Sequence, residues 1–309
     1  MVHLTKKTRN SAVKKTGALA EYHLHRHEPG KLPFAIYDLN EYLQRNLGEA
    51  SKPHIHSFYQ LIWFRSGSGR HFVDFKAYAV APHTLFFIEK NQVHYFDENA
   101  GYQGVLIHFN ERFLNRQDDE MDFWATCDLF HNGYRPPLCN ITRPFEAVLE
   151  DHIRQINNEW PHTGAFGNAE LQSLYLKALL IQVQRERNKQ EQQAGTVPFA
   201  IDEKRALLLQ FAGLLNEHYH KGLRITDYAR LMHISTRTLS ELTGQLLAKT
   251  PSLMLQERRI LEAQRLLLHS RLNINQVGYR LGFEDPSYFV KYFKKHTRTS
   301  PSAFRRSVT

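Results

Sequence analysis

The chain has 309 residues, 42% of them hydrophobic and 23% charged, with 20 Phe and 14 Tyr. That length exceeds what one core usually organises and suits two domains, and the apolar share excludes a largely disordered chain. The net charge of +9 is confined to one end, since residues 1–198 carry 22 Lys/Arg against 22 Asp/Glu and residues 199–309 carry 18 against 9. A basic excess gathered in the last third is the electrostatic footprint of a module whose partner is a polyanion.

No stretch approaches the roughly 18 apolar residues of a membrane span, and the opening MVHLTKKTRNSAVKK lacks the apolar core of a signal peptide. The expectation is a cytoplasmic protein with no membrane partner. Two cysteines, Cys127 and Cys139, offer neither a disulfide framework nor a zinc site, and buried thiols are expected.

In chain order, residues 1–30 read as an N-terminal extension and residues 31–143 as a β domain. From about Lys52 to Phe113, runs such as SFYQLIWF, RHFVDF, TLFFI and GVLIHF alternate with turn-like SGSG, APHT, EKNQ and DENAG. Short strands at this spacing predict a β-sandwich or small barrel. Residues 144–188 change to helical periodicity, with Leu171, Leu174, Tyr175, Ala178, Leu179 and Ile181 to Val183 forming a broad apolar face. Such a helix can pack on its own sheet and on a second copy of itself. The polar run at 189–198 predicts a linker, and residues 199–309 a separate helical domain.

That last domain contains an internal duplication. Ile225 matches Ile274, Ala229 matches Gly278, Met232 matches Leu281 and Ile234 matches Phe283, all 49 residues apart. One extra residue in the second turn shifts the offset to 50, so that Leu239 matches Phe289 and Pro251-Ser252 matches Pro301-Ser302. Each copy, at about 225–247 and 274–296, has the parts of a helix-turn-helix: a small residue where two helices approach, an apolar plug after the turn, and a capping signal.

The outward residues of the two second helices are candidate base readers: Arg237, Ser240 and Glu241 in the first copy, Ser287, Val290 and Lys291 in the second. Arg258, Arg259, Lys294, Lys295 and Arg298 are candidate phosphate contacts. Between the copies, SLMLQERRILEAQRLLLHS predicts a long amphipathic helix that sets the two recognition helices about one turn of DNA apart.

Residues 204–306, above all NINQVGYRLGFEDPSYFVKYFKKHTRTSPSAFR, closely resemble the DNA-binding domain of the AraC/XylS family of transcription regulators. The first copy departs from the family pattern, with Glu241-Leu-Thr-Gly-Gln where a basic residue and Phe-Lys-Lys are usual. The front half, through PHIHSFYQLIWFRSGSGRHFVDF and PHTLFFIEKNQVHYF, resembles the cupin-like sensor barrel of the same family.

The resemblance implies an α+β protein: a cupin-like β-barrel followed by helices, then an all-α domain of two helix-turn-helix units joined by a long helix. It implies an effector-responsive activator that binds double-stranded promoter DNA, contacts RNA polymerase and forms a homodimer. His54, His56, Tyr59, Trp63 and His94 are the candidates for a small-molecule effector pocket.

His54 and His56 lie two apart on one strand, and His94 is expected to meet them across the barrel. Metal-bearing cupins use such a pair with a later Glu and His, so a metal-dependent cupin enzyme fused to a DNA-binding domain is the alternative. The Glu position holds Gln60, and G-x-S-x-G, P-loop and H-E-x-x-H signatures are missing, so neither catalytic residues nor a metal or cofactor are assigned.

Overall fold

In the computed structural model, the described residues are 20–24, 33–98, 101–114, 127, 129–130, 136–162, 164–193 and 203–308. They form two compact units, divided near residue 190.

The first unit holds two five-stranded sheets. Strands β1 (Ala20–Tyr22), β3 (His54–His56), β5 (Gly69–Val73), β6 (Lys76–Val80) and β8 (His94–Phe96) make one sheet, in the order β1-β3-β8-β5-β6. Strands β2 (Phe34–Asp38), β4 (Tyr59–Ser66), β7 (Thr84–Ile88), β9 (Gln103–Phe109) and β10 (Leu138–Asn140) make the other, in the order β10-β7-β4-β9-β2. The predicted strands are present. β1 pairs in parallel with β3, which draws residues 20–22 out of the predicted extension and into the fold.

Helix α1 (Leu39–Ala50) was not legible in the sequence. It is capped by Asp38, whose side chain accepts from the Glu41 N–H at 3.0 Å, and it buries Leu39, Leu43 and Ala50.

Alternation along β4 sorts its residues between two cores. Ile62 and Phe64 join Leu39, Phe86, Phe96 and Leu106 in a cluster between the sheets. Tyr59, Leu61 and Trp63 face the opposite way. There they pack with helices α2 (Glu111–Leu114), α3 (Arg143–Asn158) and α4 (Asn168–Gln193) through Leu114, Leu149, Ile153, Leu176, Leu179 and Val183. Gly104 is required where β9 passes β4, because a Cβ there would lie 1.8 Å from the Trp63 carbonyl oxygen.

Helix α4 buries one face on this sheet and exposes Leu171, Leu174 and Ile181 on another. It runs to Gln193, so the first five residues of the predicted linker are helical. Cys127 and Cys139 are buried.

Among the described residues the second unit is helical: α5 (Glu203–His218), α6 (Ile225–Leu231), α7 (Thr236–Leu247), α8 (Pro251–His269), α9 (Ile274–Arg280), α10 (Pro286–Thr297) and α11 (Pro301–Val308). Two apolar clusters form its interior. The first joins α5, α6, α7 and the start of α8 through Phe211, Tyr228, Leu239, Leu242 and Met254. The second joins the rest of α8 to α9, α10 and α11 through Ala263, Leu267, Val277, Phe289, Phe293 and Phe304. The long central helix therefore supplies residues to both cores and ties the copies together.

Candidate functional site

The duplication extends to caps and backbone. Ser235 caps α7 by accepting from the Thr238 N–H at 2.9 Å, and Asp285, 50 residues on, caps α10 by accepting from Ser287 at 2.8 Å. His233 and Gly282, 49 apart, both take positive φ in the turn (56° and 83°), and Ala248 and Arg298, 50 apart, both end their helices in the left-handed region. At Gly282 a Cβ would sit 2.1 Å from the His220 carbonyl oxygen. A Cβ on Gly278 would fall 3.1 Å from that of Phe289, which is why the small residue stands where α9 crosses α10.

On α7, Leu239, Leu242 and Thr243 are buried, leaving Arg237, Ser240 and Glu241 exposed. On α10, Phe289 and Phe293 are buried, while Ser287 and Lys291 are exposed and Val290 is half-buried against the core. These are equivalent positions in the two copies: 237 with 287, 240 with 290, 241 with 291. The last pair carries opposite charges.

Arg237 donates from Nε to Glu241 Oε1 at 2.8 Å across one helical turn, so two of the three candidate readers of the first copy are paired with each other. Tyr288, 59% exposed beside Ser287, is a further surface residue of α10 that the sequence reading did not single out.

The phosphate candidates divide. Lys294, Lys295 and Arg298 are exposed on and just after α10. Arg258 and Arg259 are engaged inside the unit. Arg258 donates to Asn216 Oδ1 (2.7 Å) and Glu262 Oε2 (2.9 Å) and lies over the Tyr219 ring; Arg259 donates to the Tyr219 carbonyl at 2.8 Å. They bind α8 to α5 and the loop after it, an arrangement visible only once the chain brings Asn216 and Tyr219 beside α8. Arg305 is likewise held, by the Leu267 and Leu272 carbonyls at 2.8 Å each.

In the first unit the five pocket candidates fall on two sides of a sheet. Tyr59 and Trp63 face the helices, and Trp63 lines a small apolar crevice with Leu61, Leu85, Leu149, Ile153 and Leu179. His54, His56 and His94 lie together in the interior, 3%, 2% and 0% exposed. His94 meets the pair from the adjacent strand of the same sheet, in direct register with His54, and not across the barrel.

His71 on β5 lies next to His94, and His108 on β9 is in register with Gln60 on β4. Ring centroids of His54, His56 and His94 are 4.4, 4.7 and 4.9 Å apart.

Burial holds His54, His56, His71 and His94 neutral. It pulls His54 from its ordinary 6.5 down to about 4, against the opposing pull of the Lys52 carbonyl and Glu49, and it takes His71 to about 3. His56 and His94 are held well below the ordinary value, first by burial and then by the neighbouring imidazoles.

Residues 228–307 match the family model of a helix-turn-helix domain, and residues 41–117 match that of an AraC-like ligand binding domain. The chain belongs to the AraC/XylS family of transcription regulators. Both units of an AraC-type regulator are thus present in the expected order, and the chain is a DNA-binding transcription regulator with a ligand-binding domain. The family is one of regulators, which favours that reading over the metal-dependent enzyme.

The transcriptional activator RhaS of Salmonella paratyphi A is 25% identical over 290 residues, covering 90% of this chain and 93% of RhaS, and that of Salmonella heidelberg matches to the same extent. Among solved structures, an AraC-type regulator from Chromobacterium violaceum is 26% identical over 34% of this chain and 94% of its own, with a TM-score of 0.32. ToxT from Vibrio cholerae is 14% identical over 90% of this chain and 95% of its own, with a TM-score of 0.43.

Proposed function

We propose that this AraC/XylS protein is a cytoplasmic, effector-responsive transcription activator that inserts α7 and α10 into successive major-groove segments of promoter DNA. The observation that carries this reading is the equivalence of the two outward faces: the same three helix positions are presented in each copy, on helices capped and terminated alike. Arg237, Ser240, Glu241, Ser287, Val290 and Lys291 read bases, and Lys294, Lys295 and Arg298 hold phosphates. Activation through contact with RNA polymerase is supported by the likeness to RhaS, an activator by name.

The protein acts as a homodimer. Leu171, Leu174, Ala178 and Ile181 on α4 recur at alternating spacings of three and four, the seam by which two helices pack side by side, and three of the four are exposed large apolar residues. The His54, His56 and His94 interior is the effector site.

Fluorescence anisotropy with the protein's own promoter region and with random DNA, at one fixed salt concentration, tests the central claim. A regulator prefers its operator by roughly 10³-fold or more. Equal affinity for the two DNAs would refute sequence reading and leave nonspecific packaging.

A further inference from the structure

The three interior histidines are arranged as ligands. Each offers one ring nitrogen, and these three atoms lie within 4.8 Å of one another. Nδ1 of His54 lies 2.7 Å from the Lys52 carbonyl oxygen and Nδ1 of His94 lies 3.3 Å from His71 Nε2. In a metal site the second nitrogen of each ligating histidine is normally engaged in this way, which fixes the ring and leaves Nε2 for the ion.

Nitrogens of His56 and His94 remain unmet. Among the described residues, both nitrogens of His56 and Nε2 of His94 are buried without a hydrogen-bond partner, as is Oε1 of Gln60 on the inward face of β4. Buried polar atoms are rarely left so, and these four, with Nδ1 of His71 in the same interior, call for an occupant.

Size and chemistry select that occupant. Rings with centroids under 5 Å apart admit a single ion between their nitrogens and no organic molecule. Three neutral imidazoles suit zinc, nickel or cobalt, while magnesium and calcium require oxygen ligands. The residues therefore fit a transition metal. They fit it in a particular way: with Gln60 in place of a carboxylate, the donor set carries no charge to offset that of the ion. An ion so held exchanges more readily than a resident cofactor, as a sensed ligand must.

We propose that His54, His56 and His94 bind one divalent transition-metal ion, and that this ion is the effector of the ligand-binding domain. His71 acts as a positioning residue for His94. The second half of the proposal rests on the regulator reading above.

The test uses the full-length protein, stripped with EDTA and titrated with Co²⁺ and Zn²⁺. One Co²⁺ per chain is expected, with visible absorption of a low-coordinate, nitrogen-ligated ion that Zn²⁺ abolishes. His56→Phe and His94→Leu are expected to lose at least 100-fold in affinity and His71→Leu about 10- to 100-fold, while His162→Ala on the surface changes nothing. The wild-type spectrum decides even where a variant fails to fold. Substoichiometric binding, or a thiolate charge-transfer band placing the ion at Cys127 or Cys139, overturns the site.

Promoter affinity is then measured with and without Zn²⁺. An unchanged value with metal bound overturns the effector role alone. Failure to distinguish promoter from random DNA in both states defeats the regulator reading and leaves the metal site standing.

Discussion

Among the described residues, neither ring nitrogen of His56 has a hydrogen-bond partner, so whichever tautomer it adopts strands a buried N–H. An unmet buried donor costs about 1–3 kcal/mol. His56→Phe keeps a ring of similar shape and removes both nitrogens. In the metal-free protein, urea unfolding should find this variant as stable as wild type or up to about 1 kcal/mol more stable. A clear loss would mean that ordered water already satisfies the ring.

The charge reversal between Glu241 and Lys291 separates the two recognition helices. Arg237 is 88% exposed, so its pair with Glu241 is screened by solvent and a base edge can displace it. Arg237→Ala should cost about 1–3 kcal/mol on the preferred operator and relax the choice of one base pair. Lys291→Ala should cost more affinity than Arg237→Ala, because it lies in the more basic copy. Anisotropy titrations on an operator series would show the order, and the reverse order would make the first copy the anchor.

At the scale of elements, α7 and α10 both end on a residue with positive φ that is not glycine, Ala248 at 50° and Arg298 at 60°. A left-handed residue with a Cβ costs roughly 1 kcal/mol. Ala248 is exposed, so Ala248→Gly is expected to raise stability by about 0.5–1 kcal/mol. Thermal melting reads this directly, and no gain would locate a compensating loss in the unfolded chain.

The duplication itself was legible because caps, plugs and small residues are local requirements, repeated at offsets of 49 and 50. The burial of Thr243 and the engagement of Arg258 and Arg259 were not. Whether an arginine on a helix meets solvent or a carbonyl depends on what another helix brings beside it.

For the whole molecule, acid has a definite sign. The unfolded chain protonates its histidines near 6.5, whereas folded His54 does so only near 4 and His71 near 3. The unfolded state therefore takes up more protons in this window. Stability is full above about pH 6.5 and falls as pH drops towards 4. Far-ultraviolet circular dichroism of the EDTA-treated protein should show unfolding of the first unit over that range, and a transition confined below pH 3 would contradict neutral buried imidazoles. The α4 seam makes a separate prediction: Leu174→Glu puts a charge on its most exposed apolar position and should halve the mass seen by light scattering. An unchanged mass would place the dimer contact elsewhere.

What the residues determined alone was what depends on neighbours in the chain: the strand alternation of the front half, the two helix-turn-helix units, the basic last third and the family they point to. Tertiary structure decided the rest. It put Tyr59 and Trp63 on the far side of β4 from the histidines, engaged Arg258 and Arg259 inside the helical unit, and gathered His54, His56, His71, His94 and His108 in one interior. A strand's own period shows that two of its residues share a face. Which strands lie beside it, and therefore which side chains meet there, is set by the pairing order of the sheet, which no local pattern encodes.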